Sequence, residues 1–233
     1  MNTIVPFSHP MYIMLKPAGS LCNLRCKYCY YLEKSKLYDD NKNHVITDAL
    51  LEKFIKEYIE AQTTPQVLFT WHGGETLMRP ISFYRRALEL QRYYARGRQI
   101  DNSIQTNGIL LNDEWCRFFK ENNFLVGVSI DGPQEFHDEY RRNTMGKPSF
   151  HQVMKGIDLL NKHGVEWNAL AVVNDFNADY PLDFYHFFKE IGCQFIQISP
   201  IVERIVQHKD GRHLATLTDK EELPIADFSV TPE

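Results

Sequence analysis

The chain has 233 residues, long enough to bury one sizeable hydrophobic core, so one domain with at most an appendage is expected. Its 26 basic and 30 acidic side chains leave a net charge of −4 with no lysine or arginine block, which argues against a nucleic-acid partner. No apolar run is long enough to span a bilayer, Pro6 and Pro10 interrupt a start that lacks a basic region, and the five cysteines are odd in number and clustered. These features predict no membrane association, no signal peptide and a reducing, cytoplasmic setting.

Apolar runs of strand length recur at residues 11–15, 67–71, 103–106, 125–130, 168–173 and 195–199. Helical patterns separate them. Leu51, Phe54, Ile55, Tyr58 and Ile59 form a stripe at three-to-four spacing behind a capping Thr47. A helix over residues 82–95 follows, and Asn112 caps another over 113–122. Ser149 and Gln152 have the spacing of a capping box ahead of Val153, Ile157 and Leu160. Phe184, Phe187, Phe188 and Ile191 mark a last helix ending at Gly192. Repeated β–α units with short links imply an α/β fold of parallel strands and right-handed crossovers, either an open doubly wound sheet or a partial barrel. In both, chemistry gathers at the carboxyl ends of the strands.

Every unusual loop falls at such an end. After the first run come Cys22, Cys26 and Cys29, spaced C-x3-C-x2-C. Three thiolates from one loop with no fourth partner nearby do not complete a structural zinc site, which needs four ligands. They suit a cubane iron–sulfur cluster with one iron left open. Cys116, among Trp115, Phe118 and Phe119, and Cys193 read as packed free thiols.

The other loops carry the remaining candidates. Gly73 and Gly74 would let backbone approach a ligand closely, and Glu75 could accept from an amine. His72 beside them is a substrate contact or a satisfied strand-end histidine. The turn at Thr106, Asn107 and Gly108 follows the third run. Ser129 could hydrogen-bond a ribose or a carboxylate, and Arg141 could pair with a carboxylate or be a solvated charge. Asp131, Gly132 and Pro133 read as a turn device. Tyr28 and Tyr31 flank the cysteines, as cluster shielding or as ordinary packing. Residues 203–230 are charged and poorly periodic, a long loop. Thr231, Pro232 and Glu233 read as the cap and first turn of a helix that is not completed, so a truncated chain is expected.

The cysteine loop, with Tyr28 just before its last cysteine, resembles that of radical S-adenosylmethionine (SAM) enzymes. Residues 16–32, 69–75, 105–108 and 125–133 together resemble the N-terminal domain of anaerobic sulfatase-maturating enzymes. The resemblance implies a partial (β/α)6 barrel over residues 1–202, a [4Fe–4S] cluster on Cys22, Cys26 and Cys29, and SAM on the open iron. The implied SAM contacts are Tyr28 through its backbone, Gly74, Ser129, Arg141 and Val202. The implied reaction cleaves SAM reductively to a 5′-deoxyadenosyl radical, which takes a β-hydrogen from a Cys or Ser of a sulfatase polypeptide on the way to Cα-formylglycine. A flavodoxin- or ferredoxin-type donor would supply the electron.

Two departures stand out. The family's cysteine-rich C-terminal SPASM region, with two auxiliary clusters and an aspartate base, has no counterpart in residues 203–233; the base is expected beyond Glu233. Thr76 also stands where the family's Gly-Gly-Glu is usually followed by proline. Another SPASM-type peptide-modifying enzyme, or a non-catalytic metal-binding module, remains an alternative.

Overall fold

The computed structural model describes residues 9–34, 45–208, 211–214 and 223–230. Six strands, β1 (Met14–Leu15), β2 (Gln66–Trp71), β3 (Gln99–Thr106), β4 (Phe124–Ser129), β5 (Trp167–Val173) and β6 (Ile196–Pro200), pair in parallel in chain order. That order decides between the two architectures. A doubly wound sheet reverses its strand order at a switch point; an unbroken sequence winds one way only. The sheet is therefore a half-barrel with its helices outside.

Those helices are α1 (Tyr31–Lys34), α2 (Asp48–Ala61), α3 (Ile81–Tyr94), α4 (Asp113–Glu121), α5 (Gln134–Tyr140), α6 (Phe150–His163) and α7 (Pro181–Glu190). The Thr47 side chain accepts from Leu50 N, and Asn112 accepts from Trp115 N, so both expected caps form. The core between helices and sheet is aromatic: Phe69, Trp71, Tyr84, Phe118, Phe119 and Phe188 are fully buried. Cys116 is buried there as a free thiol, and Cys193 is likewise free.

Three sequence expectations are corrected. The first strand pairs only over Met14–Leu15, because side chains take over the ladder before it. Tyr58 Oη and Gln62 Nε2 donate to Met11 O at 3.0 and 2.8 Å, and Met11 N donates to Gln62 Oε1 at 3.2 Å. Ser149 stands at the start of α6 without a side-chain capping bond, since its hydroxyl donates to Arg141 O at 2.8 Å. Within the long loop, β7 (Ile205–His208) and β8 (Gly211–Leu214) form an antiparallel hairpin. The helix start expected at residues 231–233 lies outside the described residues.

Candidate functional site

The carboxyl end of the half-barrel carries the cysteine loop, and two flanks hold it. On the β2 side Glu75 N donates to Leu21 O at 2.7 Å, and Gly74 N to Gly19 O at 2.9 Å. On the α5 side Arg25 N donates to Arg142 O at 2.8 Å, and Lys27 N to Tyr140 O at 2.9 Å. The loop thus behaves as a short extra strand strung between the ends of β2 and α5.

The glycines serve that docking. A Cβ on Gly74 would sit 2.2 Å from Leu21 O and 2.7 Å from Ser20 C, closer than atoms can approach. Gly73 adopts φ +131°, and its Cβ would meet Gly19 O at 3.0 Å. The expectation that these glycines make room for a ligand is corrected to this extent: the space they leave is filled by the cysteine loop.

Glu75 is fully buried and serves as a clamp. Its Oε1 accepts from Leu77 N at 2.9 Å and Thr106 Oγ1 at 2.7 Å; its Oε2 accepts from Asn107 N at 2.7 Å. Burial pushes its carboxyl above the ordinary range against the pull of these donors. Its contribution to the site is therefore the rim backbone it fixes. His72 Nδ1 accepts from Gly73 N at 2.7 Å, and burial, aided by Lys16, lowers the ring's pKa. Tyr31 is half-buried with Lys16 Nζ 4.8 Å from its ring centroid.

The second flank is built on Asp131, which is fully buried and no mere turn device. Its Oδ2 accepts from Tyr28 Oη and, at 2.9 Å, from Arg141 Nε; its Oδ1 accepts from Val172 N at 3.0 Å. One carboxylate thereby ties the cysteine loop, β5 and the residue after α5. Arg141 is 8% exposed, which excludes the solvated charge. Its guanidinium lies 5.6 Å from the Tyr28 ring centroid. Only Nε is engaged by Asp131, so the terminal nitrogens remain available to a carboxylate.

Behind this pair, Asp131 N donates to His137 Nδ1 at 3.4 Å, while His137 Nε2 lies 2.9 Å from Ser149 Oγ. Because the Ser149 hydroxyl donates to Arg141 O, His137 must donate from Nε2 and accept at Nδ1. It is a neutral imidazole, and burial brings its pKa down to about 4.

Ser129, at the end of β4, accepts from Gln105 Nε2 at 2.9 Å. The Gln105 side chain passes over Gly127, where a Cβ would lie 2.2 Å from its Oε1. Val202, just past β6, is 61% exposed. The neighbouring Ile201 and Phe228 pack with Val172 against Leu24, Cys26, Tyr28 and Tyr140.

Cys26 is buried in that apolar group, and Cys22 and Cys29 are partly buried against it. Burial pushes the Cys26 thiol up to about 12 against the pull of Arg141, with Cys29, Asp131 and Cys22 raising it further, and it pushes the Cys22 thiol upward together with Glu75 and Cys29. Three thiolates therefore need a strong positive charge among them. A cubane distributes its thiolates over separate irons, and three cysteines of one loop are a donor set that fits such a cluster with one iron left open.

The radical SAM superfamily model matches residues 17–188, and the chain belongs to that family. It is 72% identical over 232 residues to a serine-type anaerobic sulfatase-maturating enzyme of Bacteroides thetaiotaomicron, covering 100% of this chain and 56% of that protein. It is 37% identical over 210 residues to a cysteine-type enzyme of Clostridium novyi, covering 90% of this chain and 56% of that one. Among solved structures, native anSMEcpe with bound AdoMet and Cp18Cys peptide superposes with a TM-score of 0.76 at 33% identity, over 84% of this chain and 52% of that one. The half-barrel is thus the fold of these structures, and the chain spans about half the length of the curated relatives it matches.

Asp131 and Asn107, read from the sequence as turn residues, and Gln105 are rim residues to which sequence reasoning gave no role of their own. Asp131 had a legible signal: an acid at a strand end ten residues before an arginine, with a tyrosine in the cysteine loop. Nothing in the sequence alone places those three together.

Proposed function

We propose that the chain is the SAM-binding, radical-generating part of an anaerobic sulfatase-maturating enzyme acting on serine. The observation that carries this reading is the 72% identity to a serine-type enzyme along a chain that docks its three-cysteine loop on the rim of the half-barrel. Cys22, Cys26 and Cys29 would hold a [4Fe–4S] cluster. When bound, the cluster supplies an electron that cleaves SAM to methionine and a carbon radical able to abstract a substrate hydrogen.

The chain's own residues orient the ligand and keep water away. Arg141, held by Asp131 through Nε, offers its terminal nitrogens to the SAM carboxylate. Ser129 presents a hydroxyl fixed by Gln105 to a polar group of the same ligand. The backbone of Tyr28, Gly73 and Gly74 lines the remaining rim, Gly74 N donating to Gly19 O, with Val202 on the β6 side. Tyr28 and Leu24, packed with Cys26, would shield the bound cluster from water. His72 and Tyr31 are assigned to substrate contact, with His72 Nδ1 already accepting from Gly73 N.

The substrate is a sulfatase polypeptide. Its target serine would give one β-hydrogen atom to the carbon radical and then a proton and an electron to the base and auxiliary clusters that the resemblance puts in the family's cysteine-rich region, becoming Cα-formylglycine. The electron comes from a reduced flavodoxin- or ferredoxin-type protein. An oxygen-sensitive cluster and free thiols favour a reducing, cytoplasmic setting; no described helix is long and apolar enough to cross a membrane.

The test is mass spectrometry after anaerobic incubation of reconstituted protein with SAM, a strong reductant and paired peptides that differ only in Ser or Cys at the target. 5′-Deoxyadenosine is expected from this chain with little change in either peptide, and loss of two hydrogens from the Ser peptide when a relative's remaining half is appended. A cluster-loaded protein that releases no 5′-deoxyadenosine would overturn the radical-generating reading. Neither peptide being changed once a relative's remaining half is appended would overturn the sulfatase reading and favour another peptide-modifying radical enzyme.

A further inference from the structure

Asn107 follows β3 on the rim, in a turn to which the proposed function gives no role. Its side-chain orientation is fixed by chemistry. Oδ1 lies 3.1 Å from the backbone N–H of Ile109, which can only donate, so the other amide atom is the NH2. That NH2 donates to Asn23 Oδ1 at 2.7 Å and lies 3.7 Å from Cys22 Sγ. The backbone of Asn107 is clamped by Glu75 Oε2 at 2.7 Å, and the residue is 7% exposed. With Oδ1 accepting from Ile109 N and one amide hydrogen given to Asn23, the second amide hydrogen is directed at sulfur. Leu24 N, 3.4 Å from the same sulfur, donates alongside it.

We propose that Asn107 tunes the cluster, donating its side-chain N–H to the Cys22 thiolate and thereby raising the cluster's reduction potential. The inference rests on the assignment of the cluster to Cys22, Cys26 and Cys29. Uptake of one electron from an external low-potential donor increases the negative charge carried by the cluster and its thiolates. A fixed N–H donor stabilises that reduced form more than the oxidised one. Asn107 acts through Cys22 and touches no reacting atom, so it is a positioning and tuning residue.

Glu75 gives the arrangement its rigidity. One oxygen receives the Asn107 backbone, and the other receives Thr106 and Leu77. Because a floppy donor exchanges sulfur for water at little cost, the clamp is what makes the contact effective.

The experiment is a potentiometric titration of the anaerobically reconstituted full chain, followed by electron paramagnetic resonance, for the parent protein and the variants Asn107→Ala and Asn107→Asp. Iron and sulfide contents are measured first. Asn107→Ala removes the donor, and Asn107→Asp keeps the shape and the bond from Ile109 while replacing the donor by a negative oxygen. The midpoint potential is expected to fall in Asn107→Ala and further in Asn107→Asp, with cluster content unchanged. Unchanged potentials in both variants would overturn the tuning role. So would loss of the cluster from both, since Asn107 would then serve loop assembly. A parent protein that takes up no iron–sulfur cluster would instead overturn the cluster assignment itself.

Discussion

The cysteine loop is held by two flanks that solve the same problem with different chemistry. On the β2–β3 side Glu75, with only neutral donors around its carboxylate, clamps backbone and a hydroxyl. On the β4–α5 side Asp131 meets a cation, a phenol and a backbone N–H. Both carboxylates are fully buried. Burying a charge is costly unless donors surround it, so each flank is stable only as a complete set. The first flank shapes the backbone; the second delivers a charged side chain to the rim.

The largest effect is expected on the charged flank. Asp131→Asn leaves Arg141 buried without its counter-charge and sets an amide donor against Arg141 Nε and Tyr28 Oη. Removing one partner of a buried pair costs about 3–5 kcal/mol. Urea unfolding of Asp131→Asn should show that loss, and calorimetry should show weaker SAM binding at equal iron content. A variant with unaltered stability and SAM affinity would show that the two flanks do not differ in kind. Arg141→Ala should weaken SAM binding by roughly ten- to a hundredfold, as expected for the ~1.5–3 kcal/mol of a charge-assisted contact.

The same flank should make stability depend on pH. His137 is neutral in the fold with a pKa of about 4, against an ordinary value near 6.5. Between those values the unfolded chain binds the proton and the folded chain does not, so stability falls as pH drops from about 6.5 to about 4. The full loss is roughly 3 kcal/mol. Unfolding free energies across this window should slope upward with pH in the parent and flatten in His137→Gln. An equal slope in both would remove His137 from the network.

The neutral flank should respond least. Glu75→Gln keeps the shape but turns an NH2 toward a rim donor, leaving one buried group unsatisfied at a cost of about 1–3 kcal/mol. Denaturation should register this with the SAM affinity of the remaining folded protein little changed. A loss of affinity as large as that of Asp131→Asn would erase the distinction between a clamp and a charge relay.

How much of this was legible in the sequence follows the same division. Elements with their own periodicity and caps were readable: α2 behind Thr47, α4 behind Asn112, and the strands bounded by turn residues. So was the convergence of the rim loops, because parallel β–α units place them together whatever their sequence. The short helix α5 was not readable, since Gln134–Tyr140 is too brief to show a period. The Ser149 cap failed for a tertiary reason, its hydroxyl being drawn to Arg141 O. Gly74 was assigned to ligand approach because its contact with Leu21 lies 53 positions away in sequence. The buried partners of Arg141 depend on three separate segments meeting, which no local pattern records.

The most direct test of the central claim is electron paramagnetic resonance of the anaerobically reconstituted, reduced protein with and without SAM, beside Cys26→Ala. Three thiolates on one loop should hold about four irons and four sulfides, with a signal that changes when SAM is added. Cys26→Ala should hold no cluster, and Cys116→Ala should match the parent. Stoichiometric zinc in place of iron and sulfide, or a full cluster in Cys26→Ala, would contradict the account.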